Sequence, residues 1–152
     1  MKRRPVRKPT RQSAPLTRKE LLPIAASTGR AISLRNHLSL ATLKQGKGNL
    51  DAASELLKTT YWTFYIADKD TGIQHEASFV AAEQSLKACI VKGDANGVWA
   101  LSSDDAAHVQ SILGIHDLQV ASMPLHVLEK AKARLAKLFE KDGGFPSFCL
   151  EE

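Results

Sequence analysis

Apolar residues recur along this chain at three- and four-residue spacings, in blocks divided by short runs of glycine, proline, aspartate and asparagine. That pattern predicts amphipathic helices joined by tight turns. Ile24, Ala31, Leu34, Leu38 and Ala41 make the first block, which ends before Gly46-Lys47-Gly48. Asn49 suits the N-cap of a second helix running to about Asp68, with Ala53, Leu56, Leu57, Tyr61, Phe64 and Tyr65 at its apolar positions and Asp70-Thr71-Gly72 to stop it. A third spans Gln74 to Lys92, carried by Phe79, Ala82, Leu86, Cys89 and Ile90, with the turn cluster Gly93-Asp94-Ala95-Asn96-Gly97 after it. Ser102-Ser103-Asp104-Asp105 opens a fourth helix toward Ala121, with Gly114 a weak point inside it. Pro124 fits the first turn of a fifth, which reaches Lys141 and stops at Gly143-Gly144. Only Val98-Trp99-Ala100-Leu101 reads as extended, and it is too short to imply a sheet. The expected fold class is therefore all-α, an antiparallel bundle of four to five helices.

The most specific local signal is Thr17-Arg18-Lys19-Glu20. It reads as a capping box, in which the Thr17 hydroxyl accepts from the Glu20 backbone and the Glu20 side chain reaches back; Leu16 and Leu21 occupy the staple positions. Pro23 removes a donor one turn later, so this first turn is short or kinked. Residues 1–15 hold Pro5, Pro9 and Pro15 among dense positive charge and cannot bury apolar surface, which predicts disorder. The organisation expected is a basic tail over 1–15, a helical domain over 16–143 and a flexible segment over 144–152.

Charge changes the picture once it is divided. Residues 1–19 carry eight Lys and Arg and no acid, whereas the other 133 residues carry thirteen against sixteen acids. The net +5 thus resolves into +8 and −3. Such a split points to a polyanionic partner for the tail, not for the whole surface. Lys2, Arg3, Arg4, Arg7, Lys8 and Arg11 are the candidate DNA phosphate contacts, which hold a duplex without reading its bases. Lys130, Arg134, Lys137 and Lys141 form a second set along one face of the fifth helix, opposite Leu128, Ala131, Leu135 and Leu138. The solvated face of an ordinary bundle helix gives the same stripe. Tyr61, Trp62 and Tyr65, with Phe64, spread over more than one face of the second helix, so at least one ring is expected near the surface. Trp and Tyr there would anchor a protein partner or a second copy of the chain.

Catalytic and metal chemistry is sparse. Of the five histidines, only His108 has a carboxylate at helical ligand spacing, Asp104 or Asp105, and no second pair answers it. Glu76 and Glu83 read as surface, and Gly46-Lys47-Gly48 lacks the spacing of a phosphate-binding loop. No nucleophile and base assemble, so neither enzyme, metal nor cofactor is expected. Cys89 and Cys149 stand in no metal or redox spacing, which suits free thiols in the reducing cytoplasm. No apolar run approaches the roughly 18 residues of a membrane span, and Pro5 with further charge stands where a secretory leader would be apolar. Two segments match part of a helix-turn-helix: Val109 to Ile115 around Gly114 with Val120 and Met123, and Ile24-Ala25 with Gly29. The first places no cation where it would reach a base, and in the second Thr28, Arg30 and Arg35 fall at positions the motif keeps apolar.

The start Met1-Lys2-Arg3-Arg4-Pro5-Val6-Arg7-Lys8, the helix opening at Leu16-Thr17, and the run Gly97-Val98-Trp99-Ala100-Leu101-Ser102-Ser103-Asp104-Asp105-Ala106-Ala107 followed by Pro124 resemble a group of small bacterial proteins. These are plasmid- or phage-linked and carry the label Fis-family transcriptional regulator. The resemblance implies a bacterial, cytoplasmic accessory role in regulation on a mobile element, and no catalytic residue carries over. True Fis proteins end in a basic helix-turn-helix; this chain ends instead in Gly143-Gly144-Phe145-Pro146-Ser147-Phe148-Cys149-Leu150-Glu151-Glu152.

Two functions are thus in view: a non-enzymatic protein that associates with DNA through its tail, and a helical adaptor that binds protein through Tyr61, Trp62 and Tyr65. The capping box gives the first testable expectation. Thr17→Ala removes the acceptor and is predicted to lower stability by about 1 kcal/mol, read as a lower unfolding midpoint; an unmoved midpoint would mean that no helix starts there.

Overall fold

Where each helix begins and ends follows from which residues can satisfy its free backbone groups. The computed structural model describes residues 14–67 and 74–144. They form α1 (Arg18–Leu21), α2 (Ala26–Lys44), α3 (Leu50–Ile66), α4 (Glu76–Asn96), α5 (Ser103–Ser122) and α6 (Leu125–Asp142). Thr17 and Glu20 close the capping box in both directions. Asn49 Oδ1 accepts from the Ala52 amide at 2.8 Å, and Ser102 Oγ from the Asp105 amide at 3.2 Å. The end of α2 is a Schellman turn: the Lys47 amide donates to the Thr42 carbonyl and that of Gly46 to Leu43. Gly46 sits at φ +68° in that turn, a conformation that penalises any side chain.

The core forms around α3, which packs against α2, α4, α5 and α6. Ala53, Leu56, Leu57 and Tyr61 of α3 are fully buried, and they meet Leu40 and Leu43 of α2, Phe79, Ala82 and Leu86 of α4, and Val109, Ile112 and Leu113 of α5. Leu135 joins them from α6. Among the described residues no strand forms; Pro23 and Pro124 make one isolated bridge. The all-helical expectation is met, with the first turn short.

Several boundaries differ from those read off the sequence, each for a packing reason. Helix α4 does not stop at Lys92 but runs on through Gly93 to Asn96. Gly93 is buried beneath the Trp99 indole, and a Cβ there would lie 2.3 Å from the ring. The glycine therefore admits an aromatic ring instead of making a turn. Helix α3 ends at Ile66, and the stop signal Asp70-Thr71-Gly72 lies outside the described residues. Helix α2 turns Asn36, Leu40 and Leu43 inward, leaving Leu34 61% and Leu38 56% exposed, so the expected apolar face was rotated. Pro124 is the N-cap of α6, one place before the position expected. Both helix-turn-helix readings fail: α5 is continuous through Gly114 and α2 through Gly29, so neither segment contains the turn.

The two helical glycines predict opposite outcomes. Gly114 has open space where a Cβ would stand, so Gly114→Ala is expected to stabilise by roughly 0.5–1 kcal/mol through helix propensity. Gly93→Ala forces the Trp99 ring to move and is expected to destabilise by about 1–3 kcal/mol despite the same propensity gain. Thermal unfolding of the two variants checks both signs.

Candidate functional site

Seven of the fourteen described Lys and Arg lie on α1 or α6. Leu22, just after α1, accepts from the Leu125 amide at 2.9 Å through its carbonyl, and His126 Nδ1 lies 2.8 Å from the Glu20 carbonyl. A carbonyl only accepts, so His126 donates from Nδ1. These bonds fasten the first ordered turn of the chain to the first turn of α6. Arg18 and Lys19 are exposed on α1 beside it.

From that junction the stripe runs along α6. Leu128, Ala131 and Leu135 are buried, which fixes the outward side of the helix, and Lys130, Arg134, Lys137 and Lys141 are all exposed. At about 100° per residue these four cations share an arc that contains no acid, while Glu129 and Glu140 fall beside one another outside it. The expected stripe is present as an exposed face. Arg134 does more than face solvent: its guanidinium carbon stands 4.4 Å over the centre of the Tyr65 ring. On the other flank, Lys132 Nζ lies 5.2 Å over the Trp62 ring. Such cation–π contacts are worth about 0.5–1 kcal/mol at exposed sites. Tyr65, His126, Val127, Lys130, Ala131 and Arg134 line a recess of about 350 Å³.

The tail cations Lys2, Arg3, Arg4, Arg7, Lys8 and Arg11 lie outside the described residues, as does Cys149. The aromatic cluster divides. Trp62, Phe64 and Tyr65 are half-buried, but Tyr61 is wholly buried and offers no surface to a partner. Its hydroxyl donates to Glu83 Oε1 at 2.7 Å, and Lys87 Nζ donates to the same oxygen at 2.8 Å. Burial, with the Glu83 carboxylate beside it, holds the Tyr61 phenol far above its ordinary range. Glu83 is thus a core residue, correcting the expectation of a surface carboxylate. Asp105 accepts from Ser85 Oγ at 2.9 Å, and among the described residues no three His, Cys, Asp or Glu gather as a metal site. No helix there is long and apolar enough to cross a membrane.

A second polar cluster escaped sequence reasoning. Thr63 Oγ donates to the Thr59 carbonyl at 2.7 Å, which leaves it to accept from His116 Nδ1 at 3.2 Å. Gln119 Nε2 donates to the Thr63 carbonyl at 3.0 Å. On α2, His37 Nε2 pairs with Asp117 Oδ2 at 2.8 Å. The only sign of this in the sequence is that Thr59, Thr60 and Thr63 stand among the buried positions of α3. These groups hold helices together, and of them only Asp117 lines a recess, one of about 360 Å³ with Gly29, Arg30 and Ser33.

Comparison with protein-family models, with curated proteins and with solved structures finds no match for this chain.

The buried imidazole predicts a pH dependence of stability. Burial pushes His116 down from the ordinary 6.5 to about 4, with Asp117 opposing and Lys132 adding to the shift. Between those values the unfolded chain binds a proton that the folded protein refuses. The stabilisation is therefore complete above about pH 6.5 and lost as pH falls toward 4, about 3 kcal/mol at 1.36 kcal/mol per unit. Unfolding midpoints measured across that window are expected to fall, and His116→Gln to flatten the fall. An equally steep fall in the variant would assign the effect to other groups.

Proposed function

We propose that this protein is a non-enzymatic accessory factor that associates with DNA electrostatically, through its N-terminal cations together with the exposed stripe of α6. The observation that carries the reading is the fastening of α1 to α6, through Leu22 with Leu125 and Glu20 with His126. It sets Arg18 and Lys19, the last two cations of the segment that holds +8, beside the end of α6 from which the stripe starts, which supports a shared role for the two cationic sets. The other 133 residues are net acidic, which leaves the N-terminal cations as the main source of attraction for phosphate. Backbone contacts of this kind give affinity without sequence preference, and the regulatory role on a mobile element follows the resemblance noted in the sequence.

A specific observation favours a second reading, a self-associating or adaptor module. Leu34 and Leu38 are more than half exposed and, with Ala31 and Ala52, line a groove of about 520 Å³ between α2 and α3. This groove, with the half-buried Trp62 and Tyr65, replaces Tyr61 as the apolar surface for such a partner. Sedimentation velocity separates the readings: a monomer whose mass is unchanged by Leu38→Lys speaks against self-association.

DNA binding supplies the decisive test. Engagement of about six tail cations gives a log–log salt slope near −5, at about −0.9 per phosphate. Deleting residues 1–15 is expected to remove most of the affinity, and neutralising Lys130 or Lys137 to flatten the slope by about 1 each. Undiminished binding by the truncated protein, or none by the intact chain at low salt, would overturn the reading.

A further inference from the structure

We propose that the groove between α2 and α3 seats a second copy of this chain, in a dimer whose two-fold axis crosses α2 near Leu38; as self-association it rests on the second reading above, and it commits that reading to one face and one partner. Leu34 and Leu38 are more than half exposed, and Ala31 and Ala52 line the groove beside them. Leucines that stand so far out of a groove are covered by a surface of similar extent, not by a small molecule. The alanines are short enough to let the leucines of an approaching helix settle between α2 and α3.

A two-fold interface sets one patch against itself, so the patch has to be its own complement. The charges of this groove meet that condition. On α2, Arg35 stands just before Leu38 and Thr42 about one turn after it, and Thr42 shares the loop end of the groove with Asn49 and Asp51. In an antiparallel pair of α2 helices, a position before the axis lies opposite one after it. Each Arg35 therefore falls beside the partner copy's Asp51, and the dimer holds this pair twice.

Both groups are available for it. Arg35 reaches Glu55 Oε2 only at 3.6 Å, with its side chain 62% exposed, and Glu55 has a nearer cation in Lys58 at 3.1 Å. Asp51 is exposed in the first turn of α3 and forms no ion pair among the described residues. Charges at the rim of an apolar patch fix register and reject wrong pairings more than they add affinity. An unlike protein has no need of a groove whose own charges answer one another, whereas a second copy requires it. Ten residues line the groove, against roughly 20–30 a side in a standard interface, so the association is weak and belongs to high concentration.

Sedimentation velocity of the full chain between about 1 μM and 1 mM tests the dimer. The wild type is expected to pass from monomer toward dimer across that range, and Leu38→Lys to stay monomeric. Arg35→Glu and Asp51→Lys, both at the surface, are each expected to weaken the dimer at least about tenfold, because each sets like charges together twice. An equal mixture of the two variants is expected to recover the association, since both pairs in the mixed dimer then join opposite charges. A structural role of either residue within its own chain gives no such recovery. Absence of recovery would overturn the two-fold arrangement. A dimer that survives Leu38→Lys would overturn the groove as its seat and leave self-association standing on another face. A wild type still monomeric at about 1 mM would overturn the inference and leave the groove to an unlike protein, the adaptor form of the second reading.

Discussion

Surrounding α3 with four other helices takes much of it out of water, and its buried polar side chains then depend on partners inside the protein; Trp62 Nε1 is buried without one. Thr60 and Thr63 find theirs locally, donating to carbonyls one turn back. Tyr61 cannot reach its own helix and requires Glu83 on α4, whose charge in turn requires Lys87 at the surface. His116 and Gln119 of α5 bond to Thr63 on the other side. An uncompensated carboxylate at 2% exposure would be far more costly than the hydrogen bonds it makes are favourable. The polar links therefore fix which helices meet and in what register, while the leucines supply most of the driving force.

Much of the fold was legible because its signals are local. A capping box, an Asn cap, a Ser cap followed by acids, and Gly46 and Gly143 past the ends of α2 and α6 act within four residues, and these were read in place. What escaped was decided by contact across the sequence. Gly93 looks like a turn residue until Trp99 is seen resting on it. Leu34 and Leu38 look like core until the packing of α2 on α3 and α5 selects Asn36, Leu40 and Leu43 instead. Spacing alone cannot choose between two faces of a helix when both carry apolar residues.

The candidate site was legible in the same uneven way. The α6 stripe follows from simple periodicity, since Leu128, Ala131 and Leu135 leave one side for the cations. That Arg134 would lie on Tyr65, or that His126 would bond to Glu20, depends on helices far apart in sequence meeting end to end. Tyr61 was chosen as a surface ring because Tyr and Trp share a chemistry; its hydroxyl in fact serves the interior.

The fastening of α1 to α6 joins residues 106 positions apart. On the ribosome, α1 cannot dock until α6 has emerged from the exit tunnel. Throughout that interval the four residues of α1 have only their own capping box to hold them. Closure of the Leu22–Leu125 and Glu20–His126 bonds gives them a fixed root beside the α6 cations. Translation thus sets an order in which a turn closed by its own local bonds waits for the helix that fixes its place.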